Sequence, residues 1–315
     1  MKRPLLIDTD PGVDDALALL MAFAHDAVDV VALTIGAGNV GLEHTTANAL
    51  RLLEWVERDV PVHAGASQPL VRPADDAAFV HGRDGFGDAG LSRSQAGLAP
   101  GHAANAICEF AQRFEGQLEL VMLGPLTNLA LALHLDPLLP QRVKRLVVMG
   151  GAVTGRGNTA RLATEFNIGF DPEAAHVVFQ TFGRSGFPQI ELVDWEATLR
   201  HGLDATEFEA WLAEGGTIAD SYRSISAATR RFMQERRGDR WHAADALAMA
   251  VALEPAGVES NAERAVRICL DGELTRGATP VDWDQRGEHP ANCRILLEYE
   301  KPRWRGLLRS SLRLG

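Results

Sequence analysis

Four carboxylates fall within eight residues near the start of the chain, in Asp8-Thr9-Asp10-Pro11-Gly12-Val13-Asp14-Asp15. An apolar run precedes this segment and a helical pattern follows it, so the carboxylates lie where a strand ends and a helix begins. The helix dipole and capping of free N–H groups account for Asp14 or Asp15 alone. They do not account for Asp8 and Asp10, and so many carboxylates repel one another unless a cation or protons intervene.

The ligand atoms in this segment are oxygens, which favour a hard cation such as Ca²⁺ or Mg²⁺. No Cys or His lies near enough in the sequence to favour zinc. One metal-dependent alternative is a phosphatase of the haloacid dehalogenase type, which Asp8-Thr9-Asp10 superficially fits. That pattern expects Thr or Val where Gly12 stands, and it does not require the Asp14-Asp15 pair. The phosphatase is therefore the weaker interpretation.

The segment more closely resembles the D-T-D-P-G-x-D-D pattern of the inosine-uridine-type nucleoside hydrolases. One such motif is weak, but further matches follow in the expected order over nearly the whole chain. These matches are Gly38-Asn39, Val80-His81-Gly82, Gly85-Phe86-Gly87, Leu123-Gly124-Pro125-Leu126-Thr127-Asn128, Met149-Gly150-Gly151-Ala152, Glu165-Phe166-Asn167-Ile168, Asp171-Pro172-Glu173-Ala174-Ala175 and Asp245-Ala246-Leu247-Ala248.

The resemblance implies a calcium-dependent hydrolysis of the N-glycosidic bond of ribonucleosides, which yields free base and ribose. It implies that Ca²⁺ is held by Asp10, Asp15, Asp245 and the backbone carbonyl of Leu123, with Asp10 activating a metal-bound water. Two of these ligands also have structural explanations. Leu123 closes its strand in the core, and Asp245 suits an N-cap at the start of an apolar helix.

The resemblance also assigns the ribose hydroxyls. It implies contacts to the 2′- and 3′-hydroxyls from Asp14, Asn39 and Asn167, and to the 5′-hydroxyl from Asn158 and Glu165. Buried polar groups left unpaired by a deoxysugar cost about 1–3 kcal/mol each, so ribose is the expected sugar.

Three substrate contacts have competing explanations. Seven positions separate Asn158 from Glu165, where six are expected, so Thr159 is an alternative to Asn158. His81 lies in a loop and is assigned to closing the pocket, although a loop histidine is commonly solvated. Met149 is assigned to packing under the sugar, although a Met at a strand end is ordinary core.

The chain departs from the family at the group that protonates the leaving base. In the inosine-uridine-preferring members a His immediately precedes the last Ca²⁺-ligating Asp, and here Ala244 stands at that position. We consider His242 as the catalytic acid from two residues earlier. The alternatives are a base activated by solvent and by stacking on Trp241, and a His242 that is merely structural.

Short apolar runs alternate with helical patterns and must position these residues. Strands are predicted at 4–7, 28–35, 118–123, 143–149 and 190–193, and helices at 14–24, 45–56, 126–133 and 172–179. This alternation predicts an α/β fold with a mainly parallel central sheet covered by helices on both faces. With the resemblance, it indicates a single domain over residues 1–315 with a Rossmann-like core. Ligands of such sheets bind beyond the carboxyl ends of the strands.

Three segments depart from the alternation. Residues 65–101 read as a long functional loop, and residues 213–245 contain a polar helix that ends in a charge run at 235–240. That run is interpreted as a solvated face. Contacts to the base are expected from these two regions. The tail at 303–313 is predicted to be a helix that docks on the body of the protein.

Composition narrows the class of function. The 315 residues carry 31 Lys and Arg against 42 Asp and Glu, a formal net charge of −11, so no nucleic-acid partner is expected. No stretch suits a membrane span or a signal peptide, and Cys108, Cys269 and Cys293 are too scattered for a disulfide framework. We expect a cytoplasmic enzyme with a small-molecule ribonucleoside as its partner. The resemblance adds a homodimer or homotetramer.

A protein of a different class has the same carboxylates. A nucleoside- or ribose-binding protein could retain the Ca²⁺ site without turnover. The presence of Asp10, the residue that activates water, favours the enzyme.

Overall fold

Strands and helices alternate along the computed structural model, which describes residues 2–73, 75–92, 94–184, 186–287 and 289–314. Within these ranges the strands are β1 (Arg3–Thr9), β2 (Val28–Ile35), β3 (Val62–Ala64), β4 (Leu118–Met122), β5 (Val143–Met149), β6 (Ile190–Val193), β7 (Leu203–Asp204), β8 (Arg240–Trp241), β9 (Val258–Arg264) and β10 (Cys293–Tyr299). The helices are α1 (Val13–Ala24), α2 (Leu42–Trp55), α3 (Ala78–His81), α4 (Ala103–Arg113), α5 (Thr127–Leu135), α6 (Leu139–Arg142), α7 (Phe166–Phe170), α8 (Pro172–Thr181), α9 (Trp195–Arg200), α10 (Ala205–Glu214), α11 (Thr217–Arg237), α12 (Ala244–Leu253) and α13 (Lys301–Ser311).

The central sheet has eight strands in the order β3-β2-β1-β4-β5-β6-β10-β9. Neighbouring strands run parallel from β3 through β10, and β9 pairs antiparallel with β10 at one edge. A separate antiparallel pair is formed by β7 and β8. The prediction of a mainly parallel sheet is therefore confirmed. The pattern of apolar runs does not predict β9, because this edge strand is largely exposed and carries Glu259, Glu263 and Arg264.

Helices cover both faces of the sheet because successive side chains of each strand point to opposite sides. Leu5 and Ile7 belong to an apolar cluster that includes residues of α1, α12 and α13. Leu6, between them, belongs to a second cluster with residues of α4, α5 and α8. The strands are thus buried on both faces, which explains why they read as continuous apolar runs.

The C-terminal helix docks on the first of these clusters, as expected. Trp304, Leu307 and Leu308 of α13 are buried in it, together with Leu312 just beyond the helix. No helix in the described part of the chain combines the length and the apolar character needed to cross a membrane.

Candidate active site

A cavity of about 590 Å³ lies at the carboxyl edge of the sheet. Its wall includes residues at or just after the ends of four strands: Asn39 after β2, Leu123 after β4, Met149 at the end of β5 and Trp195 after β6. This is the edge at which the strand–helix alternation predicts a ligand.

Three carboxylates meet at this cavity. One oxygen each of Asp14, Asp15 and Asp245 lies within 4.8 Å of the other two. Asp14 and Asp15 are in the first turn of α1, Asp245 is in the first turn of α12, and the two helices pack against each other. Two helix N-termini therefore contribute positive dipole ends to the same place, which favours negative charge there. Asp245 is not the N-cap, because Ala243 occupies that position.

Asp15 is held by three donors. The Thr9 hydroxyl donates to its Oδ1, and the Gly12 N–H and the Asn39 side-chain amide donate to its Oδ2, each at 2.9 Å. Burial and the neighbouring Asp14 charge raise the pKa of Asp15. Asn39 also donates to the Asp10 carbonyl at 3.1 Å, so this one amide ties together two of the predicted metal ligands.

Asp10 is buried and does not itself line the cavity, but it is hydrogen-bonded to Asn39, which does. Asp10 Oδ2 accepts the backbone N–H of Asn39 at 2.6 Å, whereas the buried Asp10 Oδ1 has no partner among the described residues. A Cβ on Gly38 or Gly124 would approach the Asp10 carboxylate to 2.1 or 2.3 Å, so both glycines are needed for it to fit. Burial, and then the charge of Asp15, raise the pKa of Asp10 well above its ordinary value.

Asp8 belongs to the scaffold below the site. Its Oδ2 accepts the Thr34 hydroxyl at 2.7 Å and the Asn128 amide at 2.9 Å, which ties β1 to β2 and α5. Burial raises the pKa of Asp8 to about 7. Neither Asp8 nor Asp10 lines the cavity, but Asp8 Oδ2 is occupied by two side-chain donors, whereas Asp10 Oδ1 has none among the described residues.

Asn167 and Glu165 form one polar side of the cavity. The Asn167 amide donates to the Leu123 carbonyl at 2.7 Å and to the Met149 carbonyl at 3.3 Å. Glu165 is the N-cap of α7 and accepts three backbone N–H groups, those of Gly151, Asn167 and Ile168. Burial raises the pKa of Glu165 to about 7.

Asn158, rather than Thr159, lines the cavity. The Thr159 hydroxyl donates to the Thr164 carbonyl at 3.0 Å, which keeps it within its own loop. The Asn158 Oδ1 is buried and has no partner in the described part of the chain, so it is available to a ligand.

His81 is not a solvated loop histidine. It is 8% exposed at the end of α3, and its Nδ1 accepts the backbone N–H of Val13 at 3.1 Å. Burial lowers the pKa of His81 to about 4, so the ring is neutral at physiological pH. His81 thereby connects the loop before α4 to the start of α1, and it lines the cavity.

The outer part of the cavity is aromatic. The ring of Phe79 meets that of Phe232 edge-on at 5.9 Å, and the Arg236 guanidinium lies 6.0 Å above the Phe232 ring. The Thr229 hydroxyl donates to the Val80 carbonyl at 2.9 Å, which fastens α11 to α3. Arg236 belongs to the run interpreted from sequence as a solvated face, and it is exposed but also lines the cavity.

His242 and two tryptophans complete the wall. His242 is buried between β8 and α12, and its ring lies 6.3 Å from that of Trp195. Trp241 stacks on Phe208 at 5.4 Å with nearly parallel planes. Sequence reasoning missed Trp195, Phe79 and Phe232. The position of Trp195, two residues after β6, was the available signal, whereas nothing local to Phe79 or Phe232 indicates that they meet.

The carboxylate cluster differs in one respect from the expected ligand set. The family resemblance assigns Asp14 to binding the ribose and Asp10 to binding the metal. In the structure Asp14 is a member of the compact group of carboxylates, whereas Asp10 is not. Burial raises the pKa of Asp245, and the charges of Asp14, Asp15 and Asp10 raise it further, so the four carboxylates interact electrostatically. Such a group attracts a cation.

Comparison with known proteins identifies the family. Residues 5–305 match the family described as inosine-uridine preferring nucleoside hydrolase. The non-specific ribonucleoside hydrolase RihC of Klebsiella pneumoniae subsp. pneumoniae is 37% identical over 307 residues, or 95% of each chain. The pyrimidine-specific ribonucleoside hydrolase RihA of Salmonella agona is 33% identical over 318 residues, or 99% of each chain.

A solved structure has the same fold over its full length. The inosine-guanosine nucleoside hydrolase aligns with a TM-score of 0.91 and 31% identity, covering 99% of each chain. The family resemblance and the fold class are confirmed. The chain belongs to the inosine-uridine preferring nucleoside hydrolase family and is by class an N-glycosyl hydrolase.

Proposed function

We propose that this chain hydrolyses the N-glycosidic bond of ribonucleosides to free base and ribose, at the cavity described above. The observation that carries the proposal is the group of three carboxylates, mutually within 4.8 Å, at a cavity with polar and aromatic sides. A ribonucleoside matches these two sides of the cavity, because its sugar carries hydroxyls and its base is a flat ring. The names of the three relatives described above, which are ribonucleoside or nucleoside hydrolases, support the same substrate class.

We propose Ca²⁺ as the resident cation. The donors are all oxygens, and Asp10 Oδ1 is a buried acceptor without a donor in the described part of the chain. Asp10, Asp15, Asp245 and the Leu123 carbonyl would hold the ion. The Leu123 carbonyl accepts one hydrogen bond from Asn167, which leaves a second lone pair. When bound, the cation neutralises the carboxylates and makes a neighbouring water more acidic.

Asp10 is the proposed general base. Burial, and then the charge of Asp15, raise the pKa of Asp10, and a cation beside its carboxylate would favour the ionised form that can accept a proton. Asp10 takes the proton of the attacking water as the C–N bond to the base breaks. The sugar then has the character of an oxocarbenium ion, as in glycoside hydrolysis generally.

Polar side chains on both sides of the cavity position the sugar. Asp14, Asn39 and Asn167 are proposed to bind the 2′- and 3′-hydroxyls, with Met149 beneath the ring. Asn158 and Glu165 are proposed to bind the 5′-hydroxyl, and the unpartnered Asn158 Oδ1 supports this assignment. His81 is proposed to close the pocket from the loop side.

His242 is the proposed acid that protonates the departing base. Ala244 lines the cavity at the position where a family histidine is expected, and it offers no proton. His242 lines the same cavity, so it is the proposed proton donor to the departing base. The electron pair of the broken bond passes to the base, where the proton from His242 neutralises it.

A panel of purine and pyrimidine ribonucleosides tests this function. We expect release of reducing sugar that stops when a chelator removes divalent cations and returns with Ca²⁺. Binding of a ribonucleoside without any release of ribose would instead indicate a binding protein. Phosphate release from nucleotides with a Mg²⁺ requirement would indicate the phosphatase. The single domain over 1–315, the homo-oligomer and the cytoplasmic setting stay predictions.

A further inference from the structure

Glu196 is a buried carboxylate that the proposed mechanism does not use. It lies in the first turn of α9, directly after Trp195 of the cavity wall, and is 5% exposed. Buried carboxylates are rarely left without donors, so the partners of this one indicate what it does. Its donors in the described part of the chain are on the loop that follows β5.

Glu196 fastens the start of this loop. The Arg156 N–H donates to Glu196 Oε1 at 2.8 Å, and the Thr154 hydroxyl donates to the same oxygen at 2.9 Å. The Thr154 N–H is shared between Oε1 at 3.1 Å and Oε2 at 2.9 Å. Residues 154–156 are exposed, and no helix or strand of the described chain lies between β5 and α7. Their position therefore depends largely on these hydrogen bonds rather than on apolar burial.

The same loop carries Asn158 to the cavity, two residues after Arg156. Asn158 lines the cavity, and its buried Oδ1 has no partner among the described residues. On its other side, the Asn158 N–H donates to the Thr164 carbonyl at 3.2 Å, which is a long hydrogen bond. Glu196 thus accepts the shorter bonds that fix the start of the loop, and Thr164 holds its end.

We propose that Glu196 is a positioning residue that sets how strongly the enzyme prefers a ribonucleoside with a 5′-hydroxyl. By holding residues 154–156, it fixes where the Asn158 side chain meets the 5′ end of the sugar. The inference rests on the proposed function, because the assignment of Asn158 to the 5′-hydroxyl comes from there. Contacts that position a substrate depend on the groups that hold them, and small displacements weaken them.

The experiment compares uridine and inosine with their 5′-deoxy counterparts, by the kcat/KM for release of free base. The wild type should prefer the 5′-hydroxyl by about tenfold or more, because its loss leaves a buried acceptor unpaired. Glu196→Ala should lower kcat/KM for the ribonucleosides by about tenfold and leave the 5′-deoxy substrates nearly unchanged. A disturbance passed through Trp195 would instead lower both kinds of substrate alike.

Two further variants separate the hydrogen bonds from general loop stability. Glu196→Gln can keep an oxygen at the Oε1 position, where two of the loop donors meet it, so it should retain most of the preference. Glu54→Ala is the matched control. Glu54 also holds a loop, by accepting the Ser94 hydroxyl and the Gln95 N–H, and none of these three residues lines the cavity. This control should lose its loop contact and keep the wild-type preference.

A double variant tests whether Glu196 acts through Asn158. Asn158→Ala alone should lower kcat/KM for the ribonucleosides, and adding Glu196→Ala should cause little further loss, because the two changes remove the same contact. Full additivity of the two losses would overturn the inference.

The remaining outcomes also decide. Equal losses on both kinds of substrate in Glu196→Ala, or a wild-type preference in that variant, would overturn the inference and leave the proposed function intact. If Glu196→Ala does not fold, Glu196→Asp takes its place, since it keeps a carboxylate but shortens the side chain by one methylene. A wild type without any preference would overturn the inference together with the assignment of Asn158. Failure to cleave any ribonucleoside would overturn the proposed function itself.

Discussion

Asp8 and Asp10 are two residues apart, yet their hydrogen-bond partners indicate different roles. Both are buried, and burial raises the pKa of each. Asp8 Oδ2 accepts two side-chain hydrogen bonds that join β1 to its neighbours. Asp10 keeps one oxygen without a partner in the described part of the chain, at the edge where the substrate is proposed to bind. A free acceptor is what a base or a metal ligand requires.

Asp10→Asn should therefore lower kcat by at least about 10²-fold, the smaller of the usual effects of losing a general base. The amide keeps an oxygen for coordination but cannot accept a proton from water, so ribose binding should remain measurable. Asp8→Asn is the matched control, because its amide oxygen can still accept the bonds from Thr34 and Asn128. Steady-state kinetics on inosine and uridine, with ribose binding by calorimetry, make the comparison. Near-normal turnover in Asp10→Asn would remove Asp10 from the base assignment.

His242 can be tested through the leaving group. A nitrophenyl riboside has a leaving group that needs no proton, so the wild type should cleave it far better than uridine or inosine. If His242 is the acid, His242→Ala should lower kcat/KM for the natural nucleosides by about 10²–10⁴-fold and leave the nitrophenyl substrate nearly unaffected. Equal loss on both substrates would indicate a structural histidine. High wild-type activity on inosine and uridine that survives the substitution would place the acid elsewhere.

At the scale of elements, buried strands are the part of the fold that the sequence predicts best. The predicted strands at 28–35, 143–149 and 190–193 coincide with β2, β5 and β6. The carboxyl-terminal part of each strand is buried on both faces and mostly apolar, although Asp29, Lys144 and Glu191 interrupt the runs. Helix starts are predicted less well. The helix expected at 45–56 begins at Leu42, where Gly41 is an N-cap without a side chain to mark it.

Asp194 illustrates how one carboxylate joins two elements. It is the N-cap of α9, accepting the N–H groups of Glu196 and Ala197, and it also accepts the N–H of Val153 in the loop after β5. Burial raises the pKa of Asp194 from 3.8 to about 6. The folded state therefore binds more protons than the unfolded state between about pH 4 and 6, and stability falls as pH rises through that window.

Asp194→Asn should remove this pH dependence, since Asn is as good an N-cap and does not titrate. We expect the unfolding free energy of the wild type, relative to the variant, to fall by about 2 kcal/mol between pH 4 and pH 7, because the pKa of Asp194 is about 6 in the folded chain and 3.8 in the unfolded one. Urea unfolding at several pH values measures the difference. A difference that stays constant with pH would contradict the assignment of this proton to Asp194.

At the scale of the whole molecule, the candidate site joins segments that are far apart in sequence. The motifs predict Asp10, Asn39, Glu165 and Asp245 because each follows a strand or starts a helix. The aromatic side is different, since Phe79 and Phe232 meet only through the packing of α3 on α11. No sequence periodicity indicates such a long-range contact. The sequence therefore predicts that residues 65–101 and 213–245 contact the base, but it does not predict which side chains do so.

The carboxylate cluster couples the stability of the whole molecule to its cation. Asp14, Asp15 and Asp245 come from two helices, and in the folded chain their charges oppose one another. A ligand that binds only the folded state raises its stability, by about 2.7 kcal/mol when Ca²⁺ is at 100 times its Kd. A chelator should therefore lower the thermal midpoint of the wild type, and Ca²⁺ should restore it. Asp245→Asn should respond much less to either addition, because one ligand charge is lost, while Asp8→Asn should respond as the wild type does. Calorimetric scans with chelator, Ca²⁺ or Mg²⁺ distinguish these outcomes, and an unchanged wild-type midpoint in all three would count against a cation at this cluster.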